Sequence, residues 1–197
     1  MRKARIKSES GIYHVIVRGI NRQNIFQDEE DKGVYLDRLT QYKTECDVKI
    51  YAYCLMSNHV HLLVKEGNKP LEEFMKKLGI SYSYRYNHKY DRIGHLFQDR
   101  FKSEPIDDDV YFMTVFRYVH QNPAKAGLPP FSWTSYDDYE KPEGLTDTDF
   151  ALSLFLSRSK LMAFLGEDVD EKCMEYEGEK KLTDGKAAEL ICEIGEV

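Results

Sequence analysis

The sequence predicts an α+β domain, a ferredoxin-like antiparallel sheet with helices on one face, followed by a C-terminal helical extension. Three observations carry this. Strand-like and helix-like segments follow one another in the order β, α, β, β, α, β, α. Two of the strand-like runs are joined by only Ser57 and Asn58, and runs rich in glycine, proline and polar residues separate the other segments. At 197 residues with 42% hydrophobic content, the chain has room for one full domain and a smaller appendage.

Taken in order, residues 1–10 hold Arg2, Lys3, Arg5 and Lys7 with little apolar content and read as a basic arm. From Gly11, GIYHVIVRG alternates and is rich in Ile, Val and Tyr, which predicts a strand, and RGINRQNIF supplies a loop. DEEDKGVYLDRLTQYKTEC opens with acids that suit a helix N-terminus, with Val34, Leu36, Leu39 and Tyr42 as its apolar face. VKIYAYCLMS and HVHLLVKEG then form a hairpin across Ser57-Asn58.

Pro70 stands where a helix can begin, and Leu71, Phe74, Met75 and Leu78 continue it at helical spacing. HLFQDRFKSEPI reads as one or two short strands. Asp107, Asp108 and Asp109 offer a cap for a helix over VYFMTVFRYVHQ, expected to end near Asn122 because Pro123 disfavours helix at the residue before it. PPFSWTSYDDYEKPEG reads as a linker that packs back through Trp133 and Tyr136. The expected division is a domain over 1–140 and an acidic extension over 141–197, with short helices in LTDTDFALSLFLSRSKLMAFLGE and LTDGKAAELICEIGEV.

The net charge of -6 is unevenly spread: residues 1–130 carry 21 basic against 17 acidic side chains, residues 131–197 carry 7 against 17. A mildly basic front is compatible with phosphate contact, so the total charge excludes no nucleic-acid role. The sequence has neither a membrane-length apolar run nor a secretory signal pattern, which predicts a cytoplasmic protein. Its four cysteines fall in no metal-ligand spacing and are assigned no chemistry.

Chemistry is suggested by His59-Val60-His61. On a strand, the two imidazoles share a face while Val60 enters the opposite layer, and two neutral imidazoles can hold a divalent ion if other donors complete its shell. Alone, such a pair reads better as partly buried packing or a solvated pair than as a metal site. In the later helix Tyr118 and Asn122 stand four residues apart and share a face, so Asn122 can offer a carbonyl oxygen to the same ion and Tyr118 comes beside it. A cation near a phenol favours phenolate and polarises a phosphodiester, which is phosphoryl-transfer equipment. Tyr82, Tyr84, Arg85, Tyr86, His88 and Lys89 interleave rings and charges, as either a single-strand stacking surface or helix packing would.

YCLMSNHVHLLV, GHLFQDRFKS and DDDVYFMTVFRYVHQNPAKAGL, in this order, resemble the REP-associated tyrosine transposases within the single-tyrosine HUH transposases, so called for two histidines around a hydrophobic residue. The resemblance covers roughly residues 10 to 140. It implies histidines on a central strand, a Mg²⁺ or Mn²⁺ ion, and a tyrosine that cuts and rejoins single-stranded, hairpin-forming DNA through a 5′-phosphotyrosine link. The nucleophile maps to Tyr118 and the metal ligands to His59 and His61. Many relatives carry a glutamine as third ligand where this chain has Asn122, with Gln121 adjacent, so either is a candidate. Tyr111 is a rival nucleophile that reads better as core. Arg18, Arg22, Arg100 and Lys102 are the candidate DNA contacts, and a homodimer is the expected assembly. No nucleotide cofactor is expected, and no Walker-type loop occurs. The competing readings are a non-catalytic single-stranded DNA or RNA-binding module and a hydrolytic metallonuclease.

Overall fold

The computed structural model describes residues 5–141, 144–167 and 173–174. Strands β1 (Ile12–Arg18), β2 (Lys49–Met56), β3 (His59–Lys65) and β4 (Lys102–Pro105) form one sheet in the order β2-β3-β1-β4, with every pairing antiparallel. Helices α1 (Glu29–Cys46), α2 (Leu71–Lys89) and α3 (Asp109–Lys125) complete the order predicted from the sequence.

Strand alternation sorts the sheet into two faces. Tyr13, Val15 and Val17 of β1, with Val60, Leu62 and Val64 of β3, meet Tyr35 and Leu39 of α1 and Phe74, Leu78 and Tyr82 of α2 in one buried cluster. The opposite face carries Ile12 of β1, Leu63 of β3 and Ala52, Cys54 and Met56 of β2, which pack on Phe112, Val115, Phe116, Tyr118 and Val119 of α3. A bulge between Ile50 and Ala52 turns both Tyr51 and Ala52 to this second face. The α+β class and the antiparallel sheet are therefore as expected, with one refinement. The layer of helices on one face is α1 and α2, and the helix of the tyrosine covers the other.

Local chemistry explains the boundaries. The Asp28 side chain caps α1 by accepting from the Asp31 amide, and buried Asp31 takes the Gln27 amide, Lys89 and the Tyr90 hydroxyl, tying the start of α1 to the end of α2. The α1 contact face centres on Tyr35, Leu39 and Cys46, with Val34, Leu36 and Tyr42 only half-buried at its margins. On α2, Tyr82 and Tyr86 are buried and Lys89 is bound to Asp28, Glu30 and Asp31. Of its interleaved tyrosines only Tyr84 stands out to solvent, so packing rather than a stacking surface accounts for the others.

Asp108 caps α3 through the Tyr111 amide. The helix runs past Asn122 and takes in Pro123 before ending at Lys125. Its last turn closes by bonds from the amides of Ala126 and Leu128 to the Pro123 carbonyl, with Gly127 at a positive φ of 73°. Proline removes only the one i→i−4 bond to the Val119 carbonyl, and the amides after it still bond back to Asn122 and Pro123, so the helix continues past the expected stop.

Residues 131–135 return along β2, where the Leu55 amide donates to the Trp133 carbonyl. Helix α4 (Tyr136–Glu140) buries Tyr139, whose hydroxyl donates to the Tyr51 carbonyl. Helices α5 (Asp149–Ser153) and α6 (Arg158–Gly166) add Ala151, Leu161 and Leu165 to the α3 cluster. The helix expected over LTDGKAAELICEIGEV lies outside the described residues. Among the described residues no helix is long and apolar enough to cross a membrane.

Candidate active site

The hairpin that carries the histidines is clamped from outside. The Ile25 and Phe26 amides donate to the Ser57 carbonyl, and the Gly19 amide donates to that of Asn58. A Cβ at Gly19 would run into the Gln23 carbonyl, so this close approach requires glycine. His59 opens β3 and His61 follows on the same face, paired with Ile16 of β1.

Across from them, Tyr118, Asn122 and Lys125 line one side of α3 at the i, i+4, i+7 spacing of a single face. With Arg18, Met56 and Ala126 they close a cavity of about 190 Å³. The His61 and Tyr118 rings are 5.7 Å apart at 76°, those of His59 and His61 5.0 Å apart at 76°. Lys125 Nζ lies 5.0 Å above the Tyr118 ring.

The two imidazoles are held neutral. Burial lowers His59 to about 4, reinforced by Arg18, while Asn122 hydrogen-bonds His59 and opposes the shift. His61 falls well below the usual imidazole range, first through burial and then through His14, His59 and Arg18. A neutral ring keeps a lone pair for a metal. His59 Nδ1 lies 2.6 Å from Asn58 Oδ1, a carbonyl oxygen that can only accept, which favours the tautomer with its proton on Nδ1 and a lone pair on Nε2 that could serve an ion.

No group of three or more His, Cys, Asp or Glu side chains converges as a metal site among the described residues. The donors that do converge are two imidazoles and an amide. This set fits a divalent ion that takes the rest of its shell from substrate oxygens and water, and it brings no charge of its own.

Asn122 and Gln121 are separated by geometry. Asn122 faces the cleft, and its Nδ2 donates to the Tyr118 carbonyl at 3.4 Å. Gln121 is turned away, with Nε2 donating to the carbonyls of Leu165 at 3.0 Å and Glu167 at 2.6 Å. His120 also points into the core, with Nδ1 2.8 Å from the Phe116 carbonyl and Nε2 2.8 Å from the Ser135 hydroxyl. The Tyr111 hydroxyl is hydrogen-bonded to Glu104, and burial together with that carboxylate pushes its pKa up, which suits a packed residue rather than a nucleophile.

Of the four candidate DNA contacts only Arg18 reaches the cleft. Arg22 is exposed in the loop beside the hairpin, where its carbonyl accepts from Asn58 Nδ2. Arg100 and Lys102 line a separate hollow along the β4 edge, with Arg5 and Tyr13. Sequence reasoning missed Lys125, which its spacing of seven from Tyr118 could have revealed. It also missed His14, completely buried beside His61 with their nearest ring nitrogens 3.0 Å apart, whose signal was a lone imidazole inside an apolar strand.

The family model described as "Transposase IS200 like" matches residues 7–122. The chain belongs to the IS200-like transposases. This match spans both histidines, Tyr118 and Asn122. Among solved structures, the REP-associated tyrosine transposase bound to a REP hairpin superposes with a TM-score of 0.58 at 15% identity, covering 72% of this chain and 87% of that one. This likeness extends the relationship to the fold, which is REP-associated tyrosine transposase-like. A candidate transposase from Deinococcus radiodurans matches with a TM-score of 0.43 at 21% identity, over 60% of this chain and 95% of that one. No curated relative matches the sequence.

Proposed function

We propose that this transposase cleaves and rejoins single-stranded, hairpin-forming DNA through a covalent 5′-phosphotyrosine on Tyr118, with a Mg²⁺ or Mn²⁺ ion held by His59, His61 and Asn122. The observation that carries the reading is the meeting of Tyr118 with the paired imidazoles inside one small cleft that also holds Arg18 and Lys125. The membership of the IS200-like transposases supports a transposase activity, and the solved structure of a REP-associated tyrosine transposase bound to a REP hairpin motivates the substrate.

In the cleavage step the Tyr118 oxygen bonds to phosphorus and the bond to the 3′ oxygen breaks. The phenol's proton is lost and the departing oxygen gains one, leaving a free 3′-hydroxyl and a 5′-phosphate on the protein. The ion, when bound, polarises the scissile phosphate and stabilises the charge that builds on it. Tyr118 is mounted on a packed helix, so the nucleophile is pre-positioned at little further entropic cost. Arg18 and Lys125 place two positive charges where a phosphate must lie. Rejoining is the same step in reverse, with an incoming 3′-hydroxyl, so the phosphotyrosine bond conserves the energy needed for ligation.

The test is incubation of the full chain with labelled single-stranded hairpins in Mn²⁺, resolved under denaturing conditions. A DNA-linked protein band, lost in Tyr118→Phe and mapped to Tyr118 by mass spectrometry, is expected. Cleavage without an adduct would instead favour a hydrolytic metallonuclease. Binding without cleavage would favour a non-catalytic binding module, and an adduct surviving in Tyr118→Phe would place the nucleophile elsewhere.

A further inference from the structure

Behind His61 lies a line of polar groups that this chemistry leaves unused. His14 is fully buried on β1, with its Nε2 3.0 Å from His61 Nδ1. The two rings are nearly parallel, at 19°, with centroids 5.3 Å apart. This separation exceeds the nitrogen-nitrogen distance by just the two centroid-to-nitrogen radii. The rings therefore meet edge to edge, with the hydrogen bond along their common axis, rather than face to face.

On the far side of His14, Nδ1 lies 4.0 Å from Glu104 Oε2. Both atoms are buried and neither has a hydrogen-bond partner. Strand register puts His14 directly opposite Glu104, so the approach is built into the β1-β4 pairing. The Tyr111 hydroxyl holds the Glu104 carboxylate by a further hydrogen bond.

A hydrogen bond between two neutral imidazoles can run in either direction, with opposite consequences for His61. If His14 donates, His61 carries its proton on Nε2, and that nitrogen has no lone pair for an ion. If His61 donates from Nδ1, its Nε2 lone pair is open, and His14 must carry its own proton on Nδ1, toward Glu104. The carboxylate selects the second arrangement, because only there do the two unpartnered buried atoms become donor and acceptor. The other arrangement sets a lone pair against a carboxylate oxygen.

We propose that Glu104 and His14 form a positioning relay that fixes His61 as the Nδ1–H tautomer, holding its Nε2 ready for a divalent ion. This rests on the reading of His59 and His61 as the metal pair. It also makes the two ligands equivalent in design: Asn58 in the turn orients His59, and His14 on the neighbouring strand orients His61.

The test uses Mn²⁺ alone, titrated over the millimolar range against the full chain, with bound ion read by electron paramagnetic resonance. His14→Phe is expected to weaken binding by about ten- to a hundredfold. His14→Gln restores most of it, since a glutamine carbonyl can accept from His61 Nδ1 at the same place, and Glu104→Leu weakens binding by about tenfold. Independently of any variant, nitrogen-15 spectra of the metal-free protein should show His61 in the Nδ1–H form, which also decides the matter if His14→Phe does not fold. A His61 proton on Nε2 overturns the relay and counts against His61 as a ligand, whereas a folded His14→Phe protein that binds Mn²⁺ like the unaltered chain overturns the relay while leaving the metal pair intact. Failure of the unaltered chain to bind Mn²⁺ removes both.

Discussion

Acidification offers a test of how the histidines are buried. Four are held neutral by their surroundings: His14 is lowered to about 3, His59 to about 4 and His120 to about 4, and His61 lies well below its usual range, with burial the first cause for each. In the unfolded chain these rings take up protons near pH 6.5. From there down to about pH 4 the unfolded state therefore binds more protons than the folded one, and stability falls as the pH falls. Each such group contributes about 1.4 kcal/mol per pH unit in that window. Integrated over four groups, the loss between pH 7 and pH 5.5 is roughly 5 kcal/mol, as large as the whole stability of many small domains. The carboxylates lowered in the fold, Asp28, Glu73 and Asp107, contribute stability that is lost only at lower pH, below about 4. Urea unfolding at half-unit steps from pH 7 to pH 5.5, followed by circular dichroism, reads the slope directly. His120→Gln removes one of the four groups away from the cleft and should reduce the slope by about a quarter. A stability that changes by less than about 1 kcal/mol across this range would refute the reasoning.

Asn122 and Gln121 should separate by function. Asn122→Ala is expected to raise the Mn²⁺ concentration for half-maximal adduct formation by about tenfold with little effect on urea stability, whereas Gln121→Ala leaves the buried Leu165 carbonyl and the half-buried Glu167 carbonyl without their donor and costs about 1–3 kcal/mol of stability at unchanged metal dependence. The uncharged donor set predicts weak Mn²⁺ binding to the free protein that tightens when DNA phosphates join the shell. By thermodynamic reciprocity, Mn²⁺ must tighten binding of an uncleavable hairpin to the Tyr118→Phe protein by the same factor, which paired titrations can check.

The element order was legible because its signals are local: the Ser57-Asn58 hairpin, the acids before α1 and the apolar spacing of α2 each act within a few residues. The common face of His59 and His61 followed from strand alternation, and that of Tyr118 and Asn122 from helical spacing. Which layer α3 joins was not legible, since Phe112, Val115 and Phe116 would bury equally well on either side of a sheet. The choice rests on what α1 and α2 already cover. Gln121 and Asn122 stand adjacent in sequence, and only the position of the Leu165 and Glu167 carbonyls on the far side of the helix assigns them different tasks. His14 escaped notice for a similar reason, because its partner is 47 residues away and meets it only through the β1-β3 register. The buried tyrosines of α2 show the reverse case: in a pattern suggestive of DNA, Tyr82 packs on Phe26 and Tyr35 and the Tyr86 hydroxyl donates to the Asn24 carbonyl.

The α3 helix is gripped from behind as well as in front. Arg117 pairs with Glu167 and lies over the Phe164 ring, Gln121 is tied to two carbonyls, and Leu161 and Leu165 fill the space between. These contacts moor the helix from the side opposite the cleft, so the orientation of Tyr118 depends on side chains and carbonyls well removed from the histidines it meets.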